Sequence, residues 1–171
     1  MSVSDDPVRT AIATASRYLT EHPAEARYTD QSATAVMERG LRVRAEFPGG
    51  AVSTDMPASV GGGASAPSPG WLWRASLAAC EATLIKMRAA SLGIAIERLE
   101  VTVDSESDDR GILGLDDSVP AGPLSGRIRV QVTAPGASTA QLRELVDWAD
   151  RHCPVADGFR RAIPLALEMS T

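Results

Sequence analysis

Two side chains in this sequence could carry redox chemistry at sulfur, Cys80 and Cys153. Only a thiolate is a good sulfur nucleophile, so the neighbours of each cysteine decide what it can do. Cys153 stands directly before Pro154, and proline suits the first position of a helix. A cysteine at that cap holds its sulfur near unpaired backbone N–H groups and the positive end of the helix dipole, which favours the thiolate. Cys80 lies in the apolar run WLWRASLAACEATLIKMRAASL (71–92). A lone cysteine on such a helix is most often a small core residue. The 73 residues between the two do not say whether they meet in space. A structural disulfide is not expected in a reducing compartment.

Other chemistries find less support. Two histidines, His22 and His152, and two cysteines are too few for a usual zinc site unless carboxylates or a partner chain help. The glycines at 61–63 lack the spacing that cradles a pyrophosphate, and no haem motif is present. The residues thus offer no cofactor motif. The net charge of −5 and the absence of a basic cluster argue against nucleic acid as a partner. No apolar run reaches the roughly 18 residues of a membrane span. The start, MSVSDDPVRT, does not read as a secretory signal, so a cytoplasmic protein is expected.

The elements that must position the cysteines follow from periodicity. The chain of 171 residues is 44% hydrophobic and 23% charged, enough for one globular core. Residues 5–20 read as a helix, with Asp5 or Asp6 as cap and Val8, Ile12, Ala15 and Leu19 as its stripe. Alternation at Ala33–Met37 and Leu41–Phe47 predicts two strands, with a third near Ala51–Asp55. Residues 56–70 are rich in Gly, Pro and Ser and read as a loop within one domain. The run 71–92 predicts a central, buried helix that Gly93 ends, with Trp73, Leu77, Cys80, Leu84 and Met87 on one seam. Strands are expected over 97–106 and 124–133, joined by a long irregular connection. A helix over 139–151 capped by Ser138, a short helix from Cys153-Pro154 to about Arg161, and a strand over Pro164–Met169 complete the order. Segregated strands and helices indicate an α+β class.

Three stretches together resemble the OsmC/Ohr family, the osmotically inducible protein C and organic hydroperoxide resistance proteins. They are PSPGWLWRASLAACEATL (67–84), HCPVADGFRRAIPLALEM (152–169) and the upstream ATAVMERGLRVRAEFPGGAVSTDMPASVGGG (33–63). The resemblance covers residues 31–171 and leaves 1–30 as an N-terminal helical extension. It implies an OsmC-like fold with antiparallel sheets packed around a long central helix, in an intertwined homodimer. It implies a peroxide substrate, Cys80 as the reactive cysteine, Cys153 as the resolving cysteine, an external dithiol as reductant, and no metal or organic cofactor. It also implies an arginine from the N-terminal sheet that holds the thiolate. Arg39, Arg42 and Arg44 are the candidates, and Arg42 is the first choice. Ordinary solvent-facing strand residues would look the same.

The family's peroxidases also carry a glutamate after a proline, ten residues before the cysteine; here Gly70 follows Pro69. Glu81, beside Cys80, points about 100° around the helix from it. It is expected to pair with Arg88 or Arg74, or to face the dimer partner. Two functions follow. One is a thiol-dependent peroxidase acting through Cys80 and Cys153. The alternative is a non-peroxidase OsmC-like protein that binds a small apolar or thiol ligand in the interface pocket, suggested by Gly70, Trp71 and Trp73. A structural role, with the N-terminal helix docking a partner, is the third reading.

Overall fold

The computed structural model describes residues 6–170. Among them, the residues up to Thr14 and those from Leu77 onward form one compact unit, and Ala15–Ser76 form another. The chain order is α1 (Asp6–Glu21), β1 (Thr34–Arg39), β2 (Arg42–Phe47), β3 (Gly50–Thr54), α2 (Pro69–Leu92), β4 (Arg98–Glu106), α3 (Asp109–Ile112), β5 (Ser125–Thr133), α4 (Thr139–His152) and α5 (Pro154–Arg160). This is the α+β class that segregated periodicities predict. No helix among the described residues is long and apolar enough to cross a membrane.

Helix α1 forms where its apolar spacing predicts, but the stripe stays largely open. Val8 and Leu19 are exposed and Ile12 is half-buried. The expected cap at Asp5 lies outside the described residues.

In the Ala15–Ser76 unit the strands form an antiparallel meander in the order β1-β2-β3. Ala35 faces Ala45, and Ala45 faces Val52. A register shift between Met37 and Arg39 sits beside the turn at Gly40. The loop that follows is organised by Asp55, which is 3% exposed. Its carboxylate accepts from the backbone N–H groups of Met56, Gly63 and Ser65 and from the Ser65 hydroxyl, at 2.8–3.2 Å. A Cβ on Gly62 would lie 1.9 Å from the Met56 carbonyl oxygen, so the turn admits only glycine there.

Helix α2 starts at Pro69 with the Ser68 hydroxyl accepting from Trp71 N–H. It ends in a Schellman cap. Gly93, at φ +70°, donates to Ala90 O, and Ile94 donates to Ala89 O. The helix is apolar almost all round, so periodicity alone could not choose its inward face. The buried ladder is Leu77, Glu81, Ile85 and Ala89, one step of four at a time. The expected seam through Trp73, Cys80, Leu84 and Met87 is corrected accordingly. Trp73, Cys80 and Leu84 are half-buried, and Met87 is exposed.

Strands β4 and β5 pair antiparallel, with Val101 opposite Val130 and Val103 opposite Ile128. Ile85 and Ala89 of α2 pack with Leu145 and Ala149 of α4, and Leu99, Val101 and Val130 lie against them. The connection between the strands is irregular as expected, save for the single turn α3. One expected element is absent. Pro164–Met169 is not a strand, and Leu165, Leu167 and Met169 are 87%, 98% and 87% exposed. The alternation in the sequence is real, but a strand needs an edge to pair with, and none of the described residues offers this segment one.

Candidate active site around the two cysteines

Helix α2 delivers Cys80, and the joint between α4 and α5 delivers Cys153. The joint forms because Pro154 cannot continue α4 but can begin α5. Cys153 thus caps one helix and starts the next, and its sulfur accepts from Ala156 N–H at 3.5 Å. The cap is the one the sequence predicts.

The two cysteines meet. Leu77, Cys153 and Ala156 form a buried cluster, with Cys80, Val103, Ile128 and Val155 packed against it. The Cys80 side chain thus lies in the same apolar cluster as the Cys153 thiol. Both are free thiols, Cys80 half-buried and Cys153 fully buried.

The electrostatics of Cys153 differ from the expectation. Burial pushes its thiol up to about 12, against a smaller opposing pull from the Ala156 N–H. The Cys80 and Glu81 side chains raise it further. The helix-cap effect is present, and the loss of water outweighs it. Burial thus favours the protonated thiol at Cys153 in the resting protein.

Glu81 is the residue that sequence reasoning set aside. It does not reach out to Arg88, whose guanidinium lies over the Trp148 ring, 4.7 Å from its centroid. Glu81 is instead 1% exposed, and its carboxyl group meets the Cys153 thiol and the Asp150 carboxyl. Its Oε1 has no hydrogen-bond partner. Burial pushes the pKa of its carboxyl group up. The Cys153 contact opposes this, nearby Asp150 adds to it, and Arg160 works against it. Arg160 is anchored in turn, donating to Asp150 Oδ1 at 2.7 Å and to the Asp150 backbone carbonyl at 3.2 Å. The step-of-four ladder through Leu77 and Ile85 was the sequence signal that could have placed Glu81 inside.

Arg42 belongs to the Ala15–Ser76 unit. Its Nε donates to Glu38 at 2.7 Å and its Nη1 donates to Ser65 Oγ at 2.8 Å. Ser65 Oγ donates to Asp55 Oδ2, also at 2.8 Å. Asp55 thereby orients the hydroxyl that receives the guanidinium. Arg44 pairs with Glu46 at 3.4 Å. Of the two arginines on β2, Arg42 is the more closely tied, through one carboxylate and one oriented hydroxyl. The first turn of α2, where Gly70 lies, holds no acidic residue.

An α+β chain with a cysteine in its long helix and a second cysteine before a proline defines a class, and the comparisons agree. Residues 61–168 match the family model described as OsmC-like protein, and the chain belongs to that family. An OsmC-like protein from Mycoplasma pneumoniae is similar in structure, with a TM-score of 0.67 at 18% identity over 78% of this chain and 89% of that one. An organic hydroperoxide resistance protein OsmC from Legionella pneumophila gives a TM-score of 0.56 at 20% identity, covering 78% of this chain and 92% of that one. The organic hydroperoxide resistance protein OhrB of Bacillus subtilis gives 0.51 at 21% identity, covering 77% and 91%. Identities this low carry the fold alone. No curated protein matches the chain.

Proposed function

We propose that the protein is a thiol-dependent peroxidase that reduces organic or inorganic hydroperoxides through Cys80 and Cys153. The observation that carries this reading is the meeting of the two free thiols in one apolar cluster. The half-buried Cys80 attacks as thiolate, breaking the peroxide O–O bond. It becomes a sulfenic acid and releases the alcohol. Buried Cys153 condenses with the sulfenic acid, giving a disulfide and water. An external dithiol then restores both thiols. The apolar lining from Leu77, Val103 and Ile128 suits a peroxide with a hydrocarbon body. A cytoplasmic setting would keep the resting thiols reduced.

Arg42 is the cation assigned to the Cys80 thiolate and the peroxide, as the resemblance implies. Its ties to Glu38 and Ser65 would hold it in one pose. A homodimer is part of the proposal, supported by the exposed Leu165, Leu167 and Met169. Steady-state peroxide consumption with a dithiol tests the reading. Cys80→Ser should abolish it, and Arg42→Met should slow the oxidation of Cys80 by on the order of 10-fold or more. Consumption that survives Cys80→Ser contradicts the proposal.

A second reading rests on the acid-free first turn of α2. Without a carboxylate there, the same cluster could hold a small apolar or thiol ligand and turn nothing over. Native mass spectrometry of the purified protein would show a bound mass on that reading and none on the peroxidase reading.

A further inference from the structure

The resolving step has a chemical difficulty. Cys153 is fully buried, and burial favours its protonated form. A protonated thiol does not displace hydroxide from a sulfenic acid, and no surface water reaches the sulfur to take its proton. The group in contact with the thiol is the Glu81 carboxyl, one residue along α2 from Cys80.

Three observations make Glu81 more than packing. A carboxyl that is 1% exposed in an apolar core costs free energy, and natural cores rarely carry one without partners. Its Oε1 is unpartnered, so it has spare accepting capacity. It also touches Asp150, whose side chain is 37% exposed and held by Arg160. Glu81 thus has a fully buried thiol as one neighbour and a part-exposed carboxyl group as another. The charged and titratable groups around Glu81 are Cys153 at the joint, Asp150 on α4 and Arg160 on α5.

We propose that Glu81 is the general base that activates Cys153 for disulfide formation, with Asp150 as the outlet for the proton. The inference rests on the two-cysteine reading above. As the Cys153 sulfur attacks the Cys80 sulfur, its proton passes to the Glu81 carboxylate. The S–S bond forms and the S–O bond breaks. The leaving hydroxide takes a proton from Glu81, directly or by exchange through Asp150, and departs as water. Glu81 returns to its carboxylate. The peroxide consumed earlier is the only oxidant, and the count of protons closes. The upward shift of the Glu81 pKa suits the role, because it makes the carboxylate a stronger base toward the thiol proton.

The test separates this inference from the peroxidase reading by loading Cys80 without peroxide. An aromatic disulfide that releases a coloured thiolate converts Cys80 to a mixed disulfide. Attack by Cys153 then releases a second coloured thiolate, whose rate is the rate of resolution. In the wild type this rate should rise with pH and then level off once Glu81 is ionised. In Glu81→Gln it should fall by on the order of 100-fold. It should also climb about tenfold per pH unit without levelling, as direct thiol ionisation requires. Glu81→Asp, which keeps the carboxyl, should recover part of the rate and the plateau. Equal rates and profiles in wild type and Glu81→Gln would overturn the assignment. So would a wild-type profile that never levels, which needs no variant to fold. A parallel arm with one equivalent of cumene hydroperoxide reads the peroxidase proposal separately, by whether Cys80 is oxidised at all.

Discussion

The chemistry at Cys80 and Cys153 turns on which thiol can ionise. Cys153 is buried and its thiol is pushed up to about 12, whereas Cys80 is half-buried. Iodoacetamide at about pH 8 should therefore label Cys80 well before Cys153 in the native protein, and both should label after unfolding. Peptide mass mapping checks this, and Cys153 labelling first would contradict it. Asp55 and Glu81 make opposite contributions to stability. Hydrogen bonds from Ser65, Met56 and Gly63 lower Asp55 from 3.8 to about 2. Its stabilising effect is complete above its unfolded value and is lost as the pH falls through about 2. Asp55→Asn should lower the Tm by several degrees at neutral pH, and the loss should shrink in strong acid. Glu81 is raised instead, so its charge costs stability as the pH rises from 4.5 through its folded value. Glu81→Gln should flatten that decline in a series of melts. The cap at Cys153 was legible in the sequence because a proline beside a cysteine marks a helix start, whereas the pairing with Cys80 came only from the family resemblance. Glu81 was not legible, because a charged residue is expected outside and only packing could show it inside.

Elements built on strong local signals formed where the sequence placed them. Ser138 accepts from Gln141 N–H, and Gln141 returns the bond to the Ser138 N–H. This capping box starts α4, which carries Leu145 and Ala149 into the core and ends at Cys153. Ser138→Ala should cost about 1 kcal/mol in a denaturant titration, and no change would show the box to be dispensable. Ile85 is fully buried between α2 and α4, and Ile85→Ala should cost about 2–5 kcal/mol. Two elements were read differently from the sequence. The inward face of α2 shifted by one position because alanines and leucines surround the helix and leave its moment too weak to choose a face. The strand over Pro164–Met169 did not form because alternation supplies a face but not a neighbour. Local pattern settles such segments only when their partner is also in the same chain.

At the scale of the molecule, membership of the OsmC-like family agrees with the motifs that carried the resemblance. Its consequence for assembly is testable. The C-terminal segment exposes alternate apolar residues, Leu165, Leu167 and Met169, more fully than a lone chain usually tolerates. On the homodimer proposal, light scattering should give twice the chain mass of 18.0 kDa. Leu167→Asp should shift the mass toward one chain. The measurement that bears most directly on the proposed chemistry is thiol titration with intact mass, before and after one equivalent of cumene hydroperoxide. It should be made on wild type and on Cys153→Ser. The two-cysteine peroxidase predicts that wild type loses both thiols and about 2 Da, and that Cys153→Ser gains about 16 Da as a trapped sulfenic acid. Two thiols left unreacted in the wild type would contradict it, and would leave Cys80 as a packing residue in a ligand-binding member of the same fold.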